Sequence, residues 1–459
     1  MFSRPIRNLS VSLIFHLLAS ASTVVIALGQ EAPREAPGPT GAMSEIVSRY
    51  YHPAEGASSD ELVRRALASN ADLAAARLDV ERARARLRQA GLRANPTVDF
   101  EHATGDLTGS TGERETSVGF SLPLELNGQR KRRIDLAKAE LEASEAEIAD
   151  RERRLAAEVR AAYAEGLAAV REMEITEGLN NLDTRTARIV EARVSEGESA
   201  PIELNLLRAE VDRLKSRRAL IEGRLQSALL RIKTLAGISP GESLRLREDL
   251  TAPTFSKPPA SLEAALDIAL RTRADLRLAR LIEKVAEAGY ELARAQGRPD
   301  VTAFTRYSKS RSVFDDTPVG AIRDKDNILS FGISIDIPLF NRNQGAKAEA
   351  ATAIAQAGRR REFAEQVVRA DVRSAFARYE AAQSAVTIFE QGVLARSTEN
   401  IRSIRGAYEL GAFRMTELLA EQRRLLDSER EYTEALAERY KALADLRSAM
   451  GDPASAGTK

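Results

Sequence analysis

The chain of 459 residues is long enough for about three ordinary domains, yet it holds no Cys, no Trp and only 3 His, with 68 basic against 67 acidic residues. The absence of thiols excludes a disulfide framework, a thiolate metal site, a nucleophilic cysteine and a lipid-modified cysteine, and a net charge of +1 with both signs interleaved excludes the basic footprint of a nucleic-acid binder. With 29% charged and 5% aromatic residues it is poor in the side chains that fill large globular cores, and a protein of long helices fits it better.

Residues 1–8 carry Arg4 and Arg7 and no acid, residues 11–28 are apolar apart from His16 and a few Ser and Thr, and Ala27-Leu28-Gly29 precedes Gln30. This is the order of a secretory signal peptide over residues 1–29, cleaved after Gly29. A transmembrane anchor is the competing reading, but the run is interrupted and barely long enough to span. Residues 30–41, rich in Pro, Gly and Glu, read as a flexible exported leader. No later stretch approaches 18 consecutive apolar residues, so no helical span is expected beyond the signal; strands of a β-barrel, which need only alternation, remain open.

An internal repeat organises the rest. Ala71-Asp72-Leu73 recurs as Ala274-Asp275-Leu276, and the same offset superposes Leu67 on Leu270, Arg77 on Arg280, Pro96 on Pro299 and Val98 on Val301. Further on, Pro123-Leu124 falls on Pro338-Leu339, and Gly197, Glu203, Leu204 and Gly237 fall on Gly411, Glu417, Leu418 and Gly451. Two related halves, residues 60–240 and 261–452, are joined by a proline-rich linker over residues 241–260, and residues 453–459 form a short tail.

Each half predicts a helix, a strand pair, a very long helix, a tight turn and a returning helix. The first helices, about 60–93 and 261–296, end before Pro96 and Pro299, which disfavour helix at the preceding residue. Strands are expected at about 97–103 and 114–124, and at about 300–307 and 328–338. In the last, Leu329, Phe331, Ile333, Ile335 and Ile337 alternate with Ser330, Gly332, Ser334 and Asp336. Such strands usually form a sheet with one face on a core and the other in water; here only four strands sit among helices with little to cover them. A wall facing lipid outward and water inward fits instead, and four strands cannot close a barrel alone, so oligomerisation follows.

Residues 130–195 and 346–410 contain no proline and would each form a helix of about 100 Å at ~1.5 Å per residue. A 4,3 heptad spacing runs through Leu155, Val159, Ala162, Gly166, Ala169 and Met173, and again through Val368, Val372, Ala375, Tyr379, Ala382, Val386, Phe389 and Val393. A solitary fibrous dimer would share this pattern but has no use for the strands. Turns at 197–203 and 411–417 send helices of about 201–236 and 414–450 back along the long ones, making helical hairpins. No catalytic constellation, cofactor loop or metal-ligand spacing is present: His16, His52 and His102 are scattered, and the many Glu/Arg pairs at helical spacing read as solvated faces. An enzyme is not expected.

Three segments carry a family resemblance: residues 121–132 (SLPLELNGQRKR), 338–345 (PLFNRNQG) and 408–419 (YELGAFRMTELL). With the order of elements and the two halves, they resemble the TolC family of outer-membrane efflux proteins, the two post-strand segments most closely its CzcC-like, heavy-metal branch. The fold class this implies is mainly α with a small β part: a homotrimer in which four strands per protomer build a twelve-stranded outer-membrane β-barrel and the hairpins build a helical tunnel through the periplasm, with an equatorial belt from residues 43–59, 237–260 and the tail. The implied partners are outer-membrane lipid, a periplasmic adaptor and an inner-membrane transporter of the resistance-nodulation-division type.

The resemblance also places the function at the hairpin tips. It implies that Tyr408, three residues before Gly411, helps hold the periplasmic gate closed with Glu203, six residues after Gly197, and that Glu417 joins an inward acidic ring favouring cations. The family's best-known member has Arg two residues after the second tip glycine; here Phe413 stands there and Arg414 follows, which alters the gate's hydrogen bonding. Gly197 and Gly411 are expected to take positive φ. For Glu203 and Glu417 a purely local role, favouring a helix N-terminus, competes with the gate role. The alternative for the whole chain is a periplasmic adaptor or coiled-coil scaffold without a pore, which should contain many more short strands.

Overall fold

A computed structural model describes residues 45–107, 112–252, 258–314 and 322–451. The expected signal, leader and tail lie outside them. The elements are α1 (Glu45–Ser48), α2 (Ser59–Ser69), α3 (Ala71–Ala90), β1 (Thr97–Thr104), β2 (Arg114–Leu124), α4 (Gln129–Ser195), α5 (Pro201–Leu235), α6 (Leu262–Thr272), α7 (Ala274–Gln296), β3 (Asp300–Phe314), β4 (Ile322–Asp336), α8 (Gln344–Ile388), α9 (Leu394–Glu409) and α10 (Met415–Ala449). A π-helical turn, Phe389–Val393, joins α8 to α9.

The first helix of each half, expected to be continuous, is two. Asn70 and Arg273 take extended backbone between α2 and α3 and between α6 and α7. The cause is docking of the returning helix. Asn70 caps α3 through Leu73 N–H at 2.9 Å and donates to the Leu235 carbonyl at 3.0 Å. The Arg273 guanidinium likewise reaches the Ala449 carbonyl while pairing with Asp275 and Asp371. The left-handed glycines that follow, Gly237 and Gly451, lie against Ser69 and Arg273, where a Cβ would collide with backbone.

The middle of α4 carries the largest core. All six seam residues from Leu155 to Met173 are buried, and α5, α10 and the segments on either side of α2 pack around them. Leu246 of the 238–252 segment seats against Gly166, where a side chain would come within 2.9 Å of it. Tyr163 ties these segments together: its hydroxyl donates to the Ala57 carbonyl at 3.0 Å and accepts from Arg247 and Glu248 N–H at 3.2 and 3.1 Å. The Glu248 carboxylate then accepts from Ser59 N–H and the Tyr440 hydroxyl.

On α8 the seam residues Val368, Val372, Ala375, Ala382 and Val386 are buried, but the repeat does not continue in phase. Extended past Val393 it would bring Arg396, Asn400, Ser403 and Ala407 inward. The inward residues are instead Leu394, Ile401, Ile404 and Tyr408, one position later. The π turn supplies the extra residue.

The sheet is antiparallel throughout in the order β1-β2-β3-β4, so the two halves meet at β2 and β3. β3 and β4 run 15 residues each, well into the region expected to be a charged loop. Pairing there is carried by backbone hydrogen bonds, which do not require an apolar face. Directly opposed residues share a face: Phe100, Val118, Tyr307 and Leu329 lie in one row, and Val98, Phe120, Thr305 and Phe331 in the next. This face is uncovered; Phe100 is 70% and Phe331 84% exposed. On the other face Arg306 crosses β2 to reach Asp99 and Glu101, each at 3.1 Å. Gly119 lies beneath this crossing, where a Cβ would collide with the Asp99 carboxylate.

Candidate functional site

The two hairpin tips are built alike. Val194 and Tyr408 carbonyls accept from the N–H groups of Gly197 and Gly411, while Glu198 and Ala412 N–H reach back to Arg193 and Ala407 at 2.8 and 2.9 Å. These are Schellman closures, and they need left-handed backbone at the glycine: φ is +81° at Gly197 and +76° at Gly411. Pro201 then occupies the first position of α5, where its missing N–H costs nothing.

The tips differ in what their glutamates do. Glu203 and Glu417 each occupy the third position of the returning helix. Glu417 folds back, accepting the Arg414 N–H at 2.8 Å, so it caps its own helix. Glu203 has no such bond; nearby, Tyr408 packs across the hairpins against a buried group that includes Val190, Leu204, Leu207, Met415 and Leu418. Burial and the neighbouring Glu203 charge push the Tyr408 hydroxyl above its ordinary range, while Arg193 opposes them. Tyr408 and Glu203 are thus neighbours across the hairpins, with no hydrogen bond between them among the described contacts. Arg414 is exposed at the start of α10 and its side chain makes no ion pair with a described residue.

Above the tips lies a polar layer that the sequence reading did not single out. Asp183 of α4, 2% exposed, accepts from Gln422 Nε2 of α10 at 3.2 Å. Burial pushes its carboxyl up to about 6; the Gln422 bond and Arg405 oppose the shift and Glu210 adds to it. Burial acts on Glu210 in the same sense, but Arg213 and Arg423 outweigh it and hold that carboxyl below the usual range. Arg423 at 2.8 Å makes this a bond between α5 and α10. The signal was available as acids and amides at inward positions of the seam, Asn180, Asp183, Glu210 and Gln422, where an apolar side chain is the rule.

No group of His, Asp or Glu suited to a metal ion occurs among the described residues, and none of their helices is long and apolar enough to cross a membrane. Long hairpins bearing a four-stranded sheet with an uncovered apolar face are the fold of solved outer-membrane channel proteins. The chain belongs to the outer membrane efflux protein family, whose model matches residues 62–238 and 265–452. The cobalt-zinc-cadmium resistance protein CzcC of Cupriavidus metallidurans is 24% identical over 395 residues, 84% of this chain and 88% of that protein. Among solved structures, CusC superposes with a TM-score of 0.71 at 23% identity, over 86% of this chain and 92% of that one. The open-state channel MtrE of Neisseria gonorrhoeae gives 0.69 at 23% identity, over 86% and 88%, and VceC of Vibrio cholerae 0.68 at 18%, over 86% and 96%. Channels of this family form homotrimers and work with periplasmic adaptors and inner-membrane pumps.

Proposed function

We propose that this chain is the outer-membrane exit duct of a tripartite efflux system and that its cargo is divalent metal cations. The observation that carries the cargo reading is the inner face of the sheet. Asp99, Glu101, Glu115, Asp324 and Asp326 share it with a single base, Arg306. A narrow pore lined this way concentrates cations and repels anions without binding either tightly. The names of two relatives support the two parts of the reading, CzcC as a cobalt-zinc-cadmium resistance protein the cargo and CusC as a former of a transmembrane channel the duct.

In this reading residues 1–29 are the export signal, the two repeats span 60–240 and 261–452, and a resistance-nodulation-division transporter drives transport through an adaptor seated between the tip helices. Tyr408 and Glu203 hold the tip closed across the hairpins. Glu417 adds exposed negative charge at the mouth while capping its helix, so its two roles coincide. Arg414 beside it sets the mouth's local charge.

Recording purified protein in planar bilayers tests the proposal. A trimeric, cation-preferring conductance is expected, and Tyr408→Phe combined with Glu203→Gln should raise it. A protein that forms no conducting trimer would defeat the duct; an unchanged conductance in the double variant would remove the gate.

A further inference from the structure

The outward face of the sheet changes character partway along the strands. From Leu329 to Ile335 on β4 it is apolar for about 20 Å along the strand at ~3.3 Å per residue, a large part of the apolar band that a tilted strand of an outer-membrane barrel carries. Toward the loop end, away from the helices, the same face continues as Asn327, Lys325 and Arg323 on β4 and as Lys309 and Arg311 on β3. No acid shares these positions. The acids at this level, Asp324 and Asp326, alternate onto the opposite face.

The basic residues are also set against one another. Arg311 lies directly opposite Lys325 on one side and Arg114 on the other. Like charges in directly opposed positions destabilise a strand pair, so this row is unfavourable unless something negative covers it. Asp106 does so for Arg114, at 2.9 Å. Lys309, Arg311, Arg323 and Lys325 make no ion pair with any described residue, and the Nε of Arg311 is buried without a hydrogen-bond partner.

We propose that these four residues bind the phosphorylated headgroup of an outer-leaflet glycolipid, whose acyl chains lie along the apolar face at Leu329 and Phe331. Continuity with that face identifies the occupant. A headgroup phosphate sits at the end of an acyl chain, where the apolar band gives way to charge, and guanidinium groups bind phosphate oxygens through paired N–H donors. A phosphate in transit through the pore would meet the other, acidic face. The inference rests on the sheet forming part of a membrane barrel, and it assigns to the outside of that barrel a lipid site independent of transport.

The test uses the purified trimer in vesicles of phosphatidylcholine alone, with bisphosphorylated lipid A, with dephosphorylated lipid A, and with inorganic phosphate. Phosphorylated lipid A should bind and raise the thermal midpoint. Arg311→Gln with Lys325→Gln should weaken that binding about 30-fold, since each basic residue near an anionic lipid surface contributes about fivefold. In phosphatidylcholine alone the double variant should melt no lower than the parent, because it removes opposed like charges. If it does not fold, the single Lys325→Gln variant should bind about fivefold more weakly. Equal affinity of variant and parent, or an equal effect of dephosphorylated lipid A or inorganic phosphate, would overturn the proposal. Conductance of the same vesicles reports the barrel separately: a conducting trimer without lipid preference refutes only the headgroup site, and loss of conductance in every lipid removes the channel reading beneath it.

Discussion

Replacing Asp183 with Asn tests the polar layer between the hairpins. Asn keeps the Oδ1 that accepts from Gln422 at 3.2 Å and imitates the protonated acid, but it cannot carry the buried charge. The Asp183 carboxyl is raised from 3.8 to about 6, chiefly by burial. Between those two values the folded state holds more protons than the unfolded one, so this residue makes stability fall as pH rises through that window. A shift of this size corresponds to about 3 kcal/mol per site at neutral pH. That shift already includes the Glu210 and Arg405 charges; the donors of the carboxamide, which need partners in the same buried site, reduce what is recovered to roughly 1–3 kcal/mol. Thermal or denaturant unfolding of the trimer, followed by helix circular dichroism, should find Asp183→Asn more stable than the parent at about pH 7.5, with the two converging near pH 4. A variant that is less stable at neutral pH, or a difference that does not change with pH, would refute the argument from burial.

Other substitutions probe the frame around it. Tyr163→Phe strands the Ala57 carbonyl and the N–H groups of Arg247 and Glu248, and should cost about 3 kcal/mol in denaturant unfolding, with hydrogen exchange accelerating over the 238–252 segment; a loss of only a few tenths would mean that water replaces the hydroxyl. Gly411→Ala puts a side chain at φ +76° and should cost about 1 kcal/mol, read as earlier fraying of the tip in hydrogen exchange; unchanged protection there would contradict the Schellman closure. Arg306→Gln releases Asp99 and Glu101 on the inner face and should raise cation over anion permeability; unaltered selectivity would place that row outside the conducting path.

The long helices were legible because a 4,3 repeat and two proline-free stretches are properties of local sequence, and the core of α4 follows that seam residue by residue from Leu155 to Met173. The strands were legible where one face is apolar. They ceased to be so beyond Tyr307 and before Ile328, where most residues on both faces are polar and the ladder alone continues them. The breaks at Asn70 and Arg273 were hidden for a different reason. Each depends on a returning helix more than 160 residues away whose C-terminal carbonyl must be met. The tip turns could be placed from their glycines, but that Glu417 folds back while Glu203 does not is a matter of side-chain geometry with no counterpart in spacing.

The π turn at Phe389–Val393 has a further effect. One extra residue in an α-helix rotates everything beyond it by about 100° relative to everything before. The face that α8 presents to α6 and α10 and the face that α9 presents at the tip are therefore set by a count of residues, not by a shared stripe. Without the turn, Ala407 would stand where Tyr408 now meets the other hairpin. A single deletion within those five residues would aim the tyrosine elsewhere without touching the tip at all, so the Tyr408 contact at one end of the hairpin is set by a winding defect about four turns away.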